Sequence, residues 1–141
     1  MGQQQLLLVI LVTIIVGIAT VVALNIFGSS AEQANEDAVR QDLTSIAATA
    51  EGYHIKPALL GGGGNSFVGM TFADISSVSC DEANPTTTCT NPNGVYTLNT
   101  PTANGFSVDV VPTTSPNLLT LTVNRAATDP ADRVAIAATP D

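Results

Sequence analysis

Few side chains in this 141-residue sequence can take part in covalent chemistry. The cysteines are Cys80 and Cys89, and a bond between them would close a short loop. In a chain whose N-terminal sequence indicates export, this spacing favours a disulfide. It is far from the Cys-x-x-Cys pattern of redox sites, and free buried thiols are the alternative interpretation.

The groups that could act as an acid, a base or a metal ligand are also few. His54 is the one histidine, and it has no Ser, Cys or Asp at catalytic spacing, so packing or an interaction with a helix dipole is favoured over a general base. Asp81, Glu82 and Asn84 could bind Ca²⁺, but they lack the regular acidic spacing of a calcium loop, which favours a solvated surface. We therefore expect no catalytic residue, no metal and no cofactor.

A run of four glycines, Gly61–Gly64, could in principle hold a phosphate group. A P-loop, however, needs a strand before the glycines and a Lys-Ser/Thr pair after them, and neither is predicted here. A flexible connector is the favoured interpretation of this run.

The composition excludes several classes of protein. Four Lys and Arg residues against twelve Asp and Glu give a net charge of −8, which disfavours a nucleic-acid partner. Only 11% of the residues are charged and 45% are hydrophobic, with a mean hydropathy of +0.30. This balance is unusual for a soluble enzyme and indicates a large apolar segment.

That apolar segment lies at the start of the chain. The first charged residue is Glu32, and residues 6–24 are interrupted only by Thr13, Gly17 and Thr20. About 20 apolar residues in a helix span a bilayer, so residues 1–28 are predicted to enter a membrane or a filament core. A cleaved signal peptide is the alternative, because small residues follow at 29–31, but no Lys or Arg precedes the apolar run.

Residues 31–56 have the periodicity of an amphipathic helix, with apolar residues at spacings of three and four. Acidic residues lie at the start of this segment and Lys56 lies at its end, which suits the helix dipole, and Pro57 ends the helix. We predict one helix over residues 1–56. Its weakest point is expected at Gly28-Ser29-Ser30, where we expect a loosened or extended segment.

Residues 57–141 are predicted to form a β-rich head. Four runs rich in β-branched residues are separated by turn residues and read as antiparallel strands, at Val95–Leu98, Phe106–Val111, Leu118–Val123 and Val134–Ala137. One face of this sheet alternates as apolar, and the amphipathic helix is the element long enough to cover it. The expected fold class is α+β, a long N-terminal helix packed on a small antiparallel sheet.

Two further features of the surface have more than one interpretation. Arg40 lies four residues after Glu36, which predicts an ion pair within the helix, with a bridge to a neighbouring subunit as the alternative. The threonines at 86–88, with Thr97, Thr100 and Thr102, could carry O-linked sugar, although Thr is also a common strand and turn residue.

A sequence that begins with uncharged apolar residues, continues as an amphipathic helix and ends in a Thr- and Gly-rich β region resembles a type IV pilin or a related pseudopilin. The resemblance is specific over residues 1–30. It implies a subunit that enters the membrane by its N-terminal helix, is processed by a dedicated peptidase next to a glycine, and assembles with the helices bundled at the filament centre. It also implies methylation, contact with the inner membrane and the pilus assembly machinery before assembly, and an extracellular location afterwards.

The first turn departs from the usual bacterial pattern of this family. Gln3, Gln4 and Gln5 are the nearest polar residues, and no glutamate follows the start. Gln5 takes the place of the family's glutamate if the first residue is the mature terminus, and Leu7 does so if processing follows Gly2. Amides can satisfy free backbone groups at a buried helix start without the cost of a charge, but they cannot neutralise an ammonium group.

We expect a structural subunit of an extracellular type IV pilus-like filament, which forms a homopolymer and has no enzymatic activity. The alternatives are a single-pass membrane-anchored binding module and a pseudopilin of a secretion or DNA-uptake apparatus, and the net charge argues against DNA uptake. The residues expected to mediate self-assembly are Leu6, Leu7, Leu8, Val9, Ile10, Leu11, Ile14, Ile15, Val16, Ile18, Val21, Val22, Leu24, Ile26 and Phe27.

Overall fold

The computed structural model describes residues 2–75 and 77–140. Its architecture is α+β, as predicted, with one long N-terminal helix followed by an antiparallel sheet. The elements are α1 (Gly2–Ile55), β1 (Thr88–Asn91), β2 (Gly94–Leu98), β3 (Gly105–Pro112), β4 (Asn117–Asn124) and β5 (Val134–Pro140), with short 3-10 helices at Ala58–Leu60 and Pro130–Asp132.

The chain divides into two compact units within this element order. Residues up to Ala34 form the first unit, and residues from Asn35 onward form the second, which we call the head. The C-terminal part of α1 therefore belongs to the head together with the sheet.

Helix α1 is continuous through Gly28-Ser29-Ser30, so the expected loosened segment at this point is wrong. Glycine costs about 1 kcal/mol relative to alanine inside a helix, and serine costs less. Such a penalty is small for a helix of 54 residues that has strong helix formers on both sides.

The end of α1 is capped by the glycine run. The Gly63 amide donates to the Tyr53 carbonyl at 2.8 Å, and the Asn65 amide donates to the His54 carbonyl at 2.8 Å. A Cβ atom at Gly63 would collide with the carbonyl oxygen of Ser66. The run connects the helix to the following residues as predicted, but it is a tightly hydrogen-bonded cap rather than a flexible connector.

The five strands follow one another in the order β1-β2-β3-β4-β5, and each neighbouring pair is antiparallel. The predicted strands correspond to β2–β5, and β5 continues beyond its predicted end to Pro140. Strand β1 was not predicted. Its sequence, Thr-Cys-Thr-Asn, has no apolar alternation, and it pairs with β2 through a tight turn at Pro92-Asn93.

The core of the head lies between the inner face of the sheet and one face of α1. Residues 67–75 have no clear periodicity, and a short turn of helix over Thr71–Ile75 is one interpretation of their sequence. They fold as turns instead and add Phe67, Phe72 and Ile75 to this core. The helix contributes Val39, Leu43, Ile46, Ala47 and Ala50, and the strands contribute Cys89, Tyr96, Leu98, Phe106, Val108, Val110, Leu119, Leu121 and Val123.

This packing predicts unequal effects for two identical substitutions. Leu43 is 0% exposed whereas Leu59 is 96% exposed. We expect Leu43→Ala to lower the free energy of unfolding of the head by about 2–5 kcal/mol, because it leaves a cavity, and Leu59→Ala to change it by less than about 0.5 kcal/mol. Denaturant unfolding of the full chain in detergent, followed by tyrosine fluorescence, measures both values. Equal effects would contradict this assignment of the core.

Candidate functional site

The most prominent surface of the first unit is an apolar helix that no described residue covers. The predicted self-assembly residues Leu6–Leu11, Ile14–Val16, Ile18, Val21, Val22, Leu24, Ile26 and Phe27 are each between 47% and 72% exposed. They lie on every side of the helix, because apolar residues occupy nearly every position from 6 to 27. This surface has no polar face that could remain in water.

The two threonines within this apolar stretch do not interrupt it. The Thr13 hydroxyl donates to the Ile10 carbonyl at 2.8 Å, and the Thr20 hydroxyl donates to the Val16 carbonyl at 2.8 Å. Each hydroxyl is therefore satisfied by the backbone of its own helix, one turn earlier. The segment needs no external hydrogen-bond partner for these side chains in an apolar environment.

The same stretch has the length and composition of a membrane span. Its most apolar window has a mean hydropathy of 3.1, and none of that window is buried. A long apolar helix near the N-terminus fits a membrane anchor or a signal segment equally well. Gln3, Gln4 and Gln5 lie exposed at the start of α1, where the backbone N–H groups of the first turn have no partner within the helix.

The cysteines in the head form the predicted disulfide. Cys80 is bonded to Cys89, with their Cα atoms 5.1 Å apart. The loop between them folds along the outer edge of β1: the Asp81 amide donates to the Thr90 carbonyl at 2.8 Å, and a Glu82 carboxylate oxygen accepts from the Thr90 amide at 2.9 Å. The bond to the Thr90 amide lowers the pKa of the Glu82 carboxyl.

The candidate calcium ligands belong to this loop between the cysteines. Asp81 and Asn84 are exposed, and Glu82 bonds to the β1 backbone. Glu82 also lies close to the two cysteine sulfurs, but these are joined to each other as a disulfide and are not thiolate ligands. The loop therefore protects the outer edge of strand β1.

A carboxylate on α1 holds the first hairpin of the sheet. One oxygen of Asp42 accepts from the Tyr96 hydroxyl at 2.6 Å, from Asn93 Nδ2 at 2.8 Å and from Asn91 Nδ2 at 3.2 Å. Burial and the bond to this carboxylate raise the pKa of the Tyr96 phenol above its usual range. Asp42 thus fixes the register of α1 against the β1–β2 hairpin. No pattern in the sequence indicates this role, because the donors lie about 50 residues away.

Glu36 is a second carboxylate that ties α1 to the sheet. It accepts from the Ser115 hydroxyl at 2.6 Å and from Asn117 Nδ2 at 2.9 Å. These bonds lower its pKa, with a smaller contribution from the charge of Arg40. The predicted Glu36–Arg40 ion pair is therefore wrong: Glu36 bonds to Ser115 before β4 and to Asn117 at its start. Within residues 2–75 and 77–140 the ion pair formed is Arg125–Glu51.

His54 is a packing residue in the head. It is 6% exposed, and its ring lies 4.6 Å from the ring of Phe67, which in turn contacts Phe106 at 5.1 Å. Its Nδ1 atom has no hydrogen-bond partner among the described residues. The contact of its ring with Phe67 in the core supports the packing role that the sequence favours.

The disulfide predicts a simple chemical result. Alkylation of the unfolded, unreduced protein is expected to label no cysteine, and two labels per chain would refute the bond.

Replacing both cysteines with alanine is expected to lower the free energy of unfolding by about 2–3 kcal/mol, since the short loop then regains its freedom in the unfolded chain. Denaturant unfolding in detergent measures this difference.

Glu36 predicts a specific dependence of stability on pH. Its pKa is lowered from 4.5 in the folded head, so its contribution is present above that value and is lost as the pH falls through the lower folded pKa. We expect Glu36→Gln to reduce the loss of stability on acidification, measured by thermal unfolding between about pH 5 and pH 3. Asp37→Asn, at the exposed neighbouring position, serves as the control and should retain the full pH dependence. An unchanged pH profile for Glu36→Gln would contradict this role.

No known protein-family model, curated protein or solved structure matches this chain significantly.

Proposed function

We propose that this chain is the structural subunit of an extracellular filament of the type IV pilus kind, polymerising through the apolar part of α1. The observation that carries the proposal is the exposed apolar surface of residues 6–27, which has no polar side and no charge. In water such a surface must be covered by lipid or by other copies of itself. Outside the cell only the second cover is available, so the helices bundle.

The energy available from such a bundle is large. Burying six of these side chains per subunit, at about 1.5–3 kcal/mol each, contributes about 9–18 kcal/mol before the entropic cost of association. The chain has only four Lys and Arg residues, and the Arg125–Glu51 pair is more than 30% exposed on both side chains. Exposed pairs of this kind contribute at most about 1 kcal/mol, so apolar burial dominates.

A single-pass membrane-anchored binding module is the second candidate. The hydropathy and length of the N-terminal segment favour it, because a membrane span needs only those properties. The feature that supports a filament instead is the continuation of the same helix into the core of the head, where Val39, Leu43 and Ile46 are fully buried. An anchor that ends at the bilayer needs no such continuous helix. Assembly outside the membrane separates the two candidates.

The proposal predicts that one charge in the apolar surface prevents assembly. Val16 and Val111 are 57% and 58% exposed, so they form a matched pair. Val16→Lys and Ile14→Asp are expected to abolish filaments, because each puts an unpaired charge into a bundle without water. Val111→Lys, on the outer face of β3, is expected to leave assembly intact. Electron microscopy after detergent removal shows whether each of the three variants forms filaments.

The stability of the filaments at high salt concentration is an independent test of the same proposal. Parent filaments are expected to persist at about 1 M salt, where charges more than about 3 Å apart are screened. Filaments that dissolve at this salt concentration, or an Ile14→Asp variant that polymerises normally, would contradict the proposal. A parent chain that inserts into lipid vesicles but forms no filaments after detergent removal would favour the membrane-anchored module.

A further inference from the structure

The head contains two Asn-Gly pairs, one at the start of β2 and one at the start of β3. They are Asn93-Gly94 and Asn104-Gly105, and every other asparagine of the chain is followed by a residue with a side chain. In an Asn-Gly pair the main-chain nitrogen of the glycine can attack the side-chain amide of the asparagine, because no Cβ atom shields that nitrogen. The two pairs are therefore the places in this chain where an asparagine can most readily lose its amide.

The sheet requires both glycines. A Cβ atom at Gly94 would collide with the carbonyl oxygen of Val111, and one at Gly105 would collide with the carbonyl oxygen of Val123. A glycine in a strand at such a close approach cannot be replaced without moving the neighbouring strand. The fold thus keeps an unshielded nitrogen after each asparagine.

The side chain of Asn93 is held in place. Its Nδ2 donates to the Asp42 carboxylate at 2.8 Å, and its main-chain carbonyl accepts from Asn35 Nδ2 at 2.9 Å. The Gly94 amide donates to Asn91 Oδ1 at 3.0 Å. Attack on Asn93 would require its side chain to turn away from Asp42. It would also build negative charge on the Asn93 side-chain oxygen, and the nearby carboxylate repels that charge.

The side chain of Asn104 is not held in this way. Asn104 is exposed, and its side-chain amide has no hydrogen bond to the described residues of the chain. Its main-chain carbonyl accepts from the Arg125 amide at 2.8 Å. The Gly105 amide donates to the Thr102 hydroxyl at 3.1 Å, so both glycine amides have a side-chain acceptor. The difference between the two pairs therefore lies in the asparagine side chains.

We propose that Asn104 is a site of spontaneous deamidation in the folded head and that Asp42 protects Asn93 from the same reaction. The Gly105 nitrogen forms a bond to Cγ of Asn104, the bond from Cγ to Nδ2 breaks, and ammonia leaves with the proton of the Gly105 nitrogen. Water then opens the resulting succinimide at one of its two carbonyl groups, which gives aspartate or isoaspartate. One water is consumed and one ammonia is released, without an oxidant or a reductant.

The product changes the connection between β2 and β3. Either form adds a negative charge to a chain whose net charge is already −8. In isoaspartate the main chain runs through the former side chain, so the carbonyl that accepts from the Arg125 amide leaves the main chain. The site lies in the head, and the inference does not depend on filament formation.

Incubation of the parent chain in detergent at mildly alkaline pH tests the site. Fragment-ion mass spectrometry locates the conversion of an amide to a carboxyl group. In the folded chain we expect Asn104 to react at least about tenfold faster than Asn93, whereas in urea the two should react at similar rates. Asn104→Gln serves as the control, because its longer side chain must close a less favourable ring, and it should remove the reaction at this position alone.

Substitution of the carboxylate tests the protection. Asp42→Ala is expected to accelerate the reaction of Asn93 in the folded chain by about tenfold, since Nδ2 loses its acceptor and the repelling charge is removed. Tyr96→Phe removes a different donor to the same carboxylate and should leave Asn93 slow. Thermal unfolding in detergent checks that the variants are folded, and Asp42→Asn, which keeps the shape of the side chain, replaces Asp42→Ala if that variant is not.

Two results would overturn the inference. The first is a folded parent chain in which Asn104 stays intact while both asparagines react in urea, or in which Asn93 reacts as fast as Asn104. The second is a folded Asp42 variant in which Asn93 reacts no faster than in Tyr96→Phe. Neither result bears on the proposed filament, which is tested by assembly.

Discussion

Keeping an apolar helix surface out of water is the constraint on which the rest of this molecule depends. Residues 6–27 present an apolar side chain at nearly every position, and the hydroxyls of Thr13 and Thr20 bond back to their own helix. No rotation of such a helix places a polar side toward solvent. Lipid before assembly and neighbouring helices after assembly can cover the same surface. In the proposed function, one segment can therefore act first as a membrane anchor and then as the contact between subunits.

The constraint on the head is different, because a small sheet must be held in one position on a single helix. The apolar face of α1 provides the burial, but apolar contacts alone specify position poorly. The polar contacts of Asp42 with the β1–β2 hairpin and of Glu36 with Ser115 and Asn117 fix the register of the helix against two neighbouring hairpins of the sheet. The disulfide adds a constraint at the one edge of the sheet where apolar residues are scarce.

Much of this fold could be predicted from the sequence, because period-3.6 and period-2 patterns identify α1 and β2–β5 directly. The pairing of Cys80 with Cys89 followed from their number and spacing. Strand β1 was missed because its strand character depends on its pairing with β2 and on the disulfide rather than on its own residues. The Glu36–Arg40 pair was wrong because Ser115 and Asn117, which lie about 80 residues away, compete for the carboxylate.

Helical reconstruction of the assembled filament by electron cryo-microscopy tests the central claim most directly. The account predicts that side chains of residues 6–27 from neighbouring subunits contact one another along the filament axis, without lipid or water between them. A filament in which these helices are separated from one another, and in which the heads alone make the contacts between subunits, would contradict it.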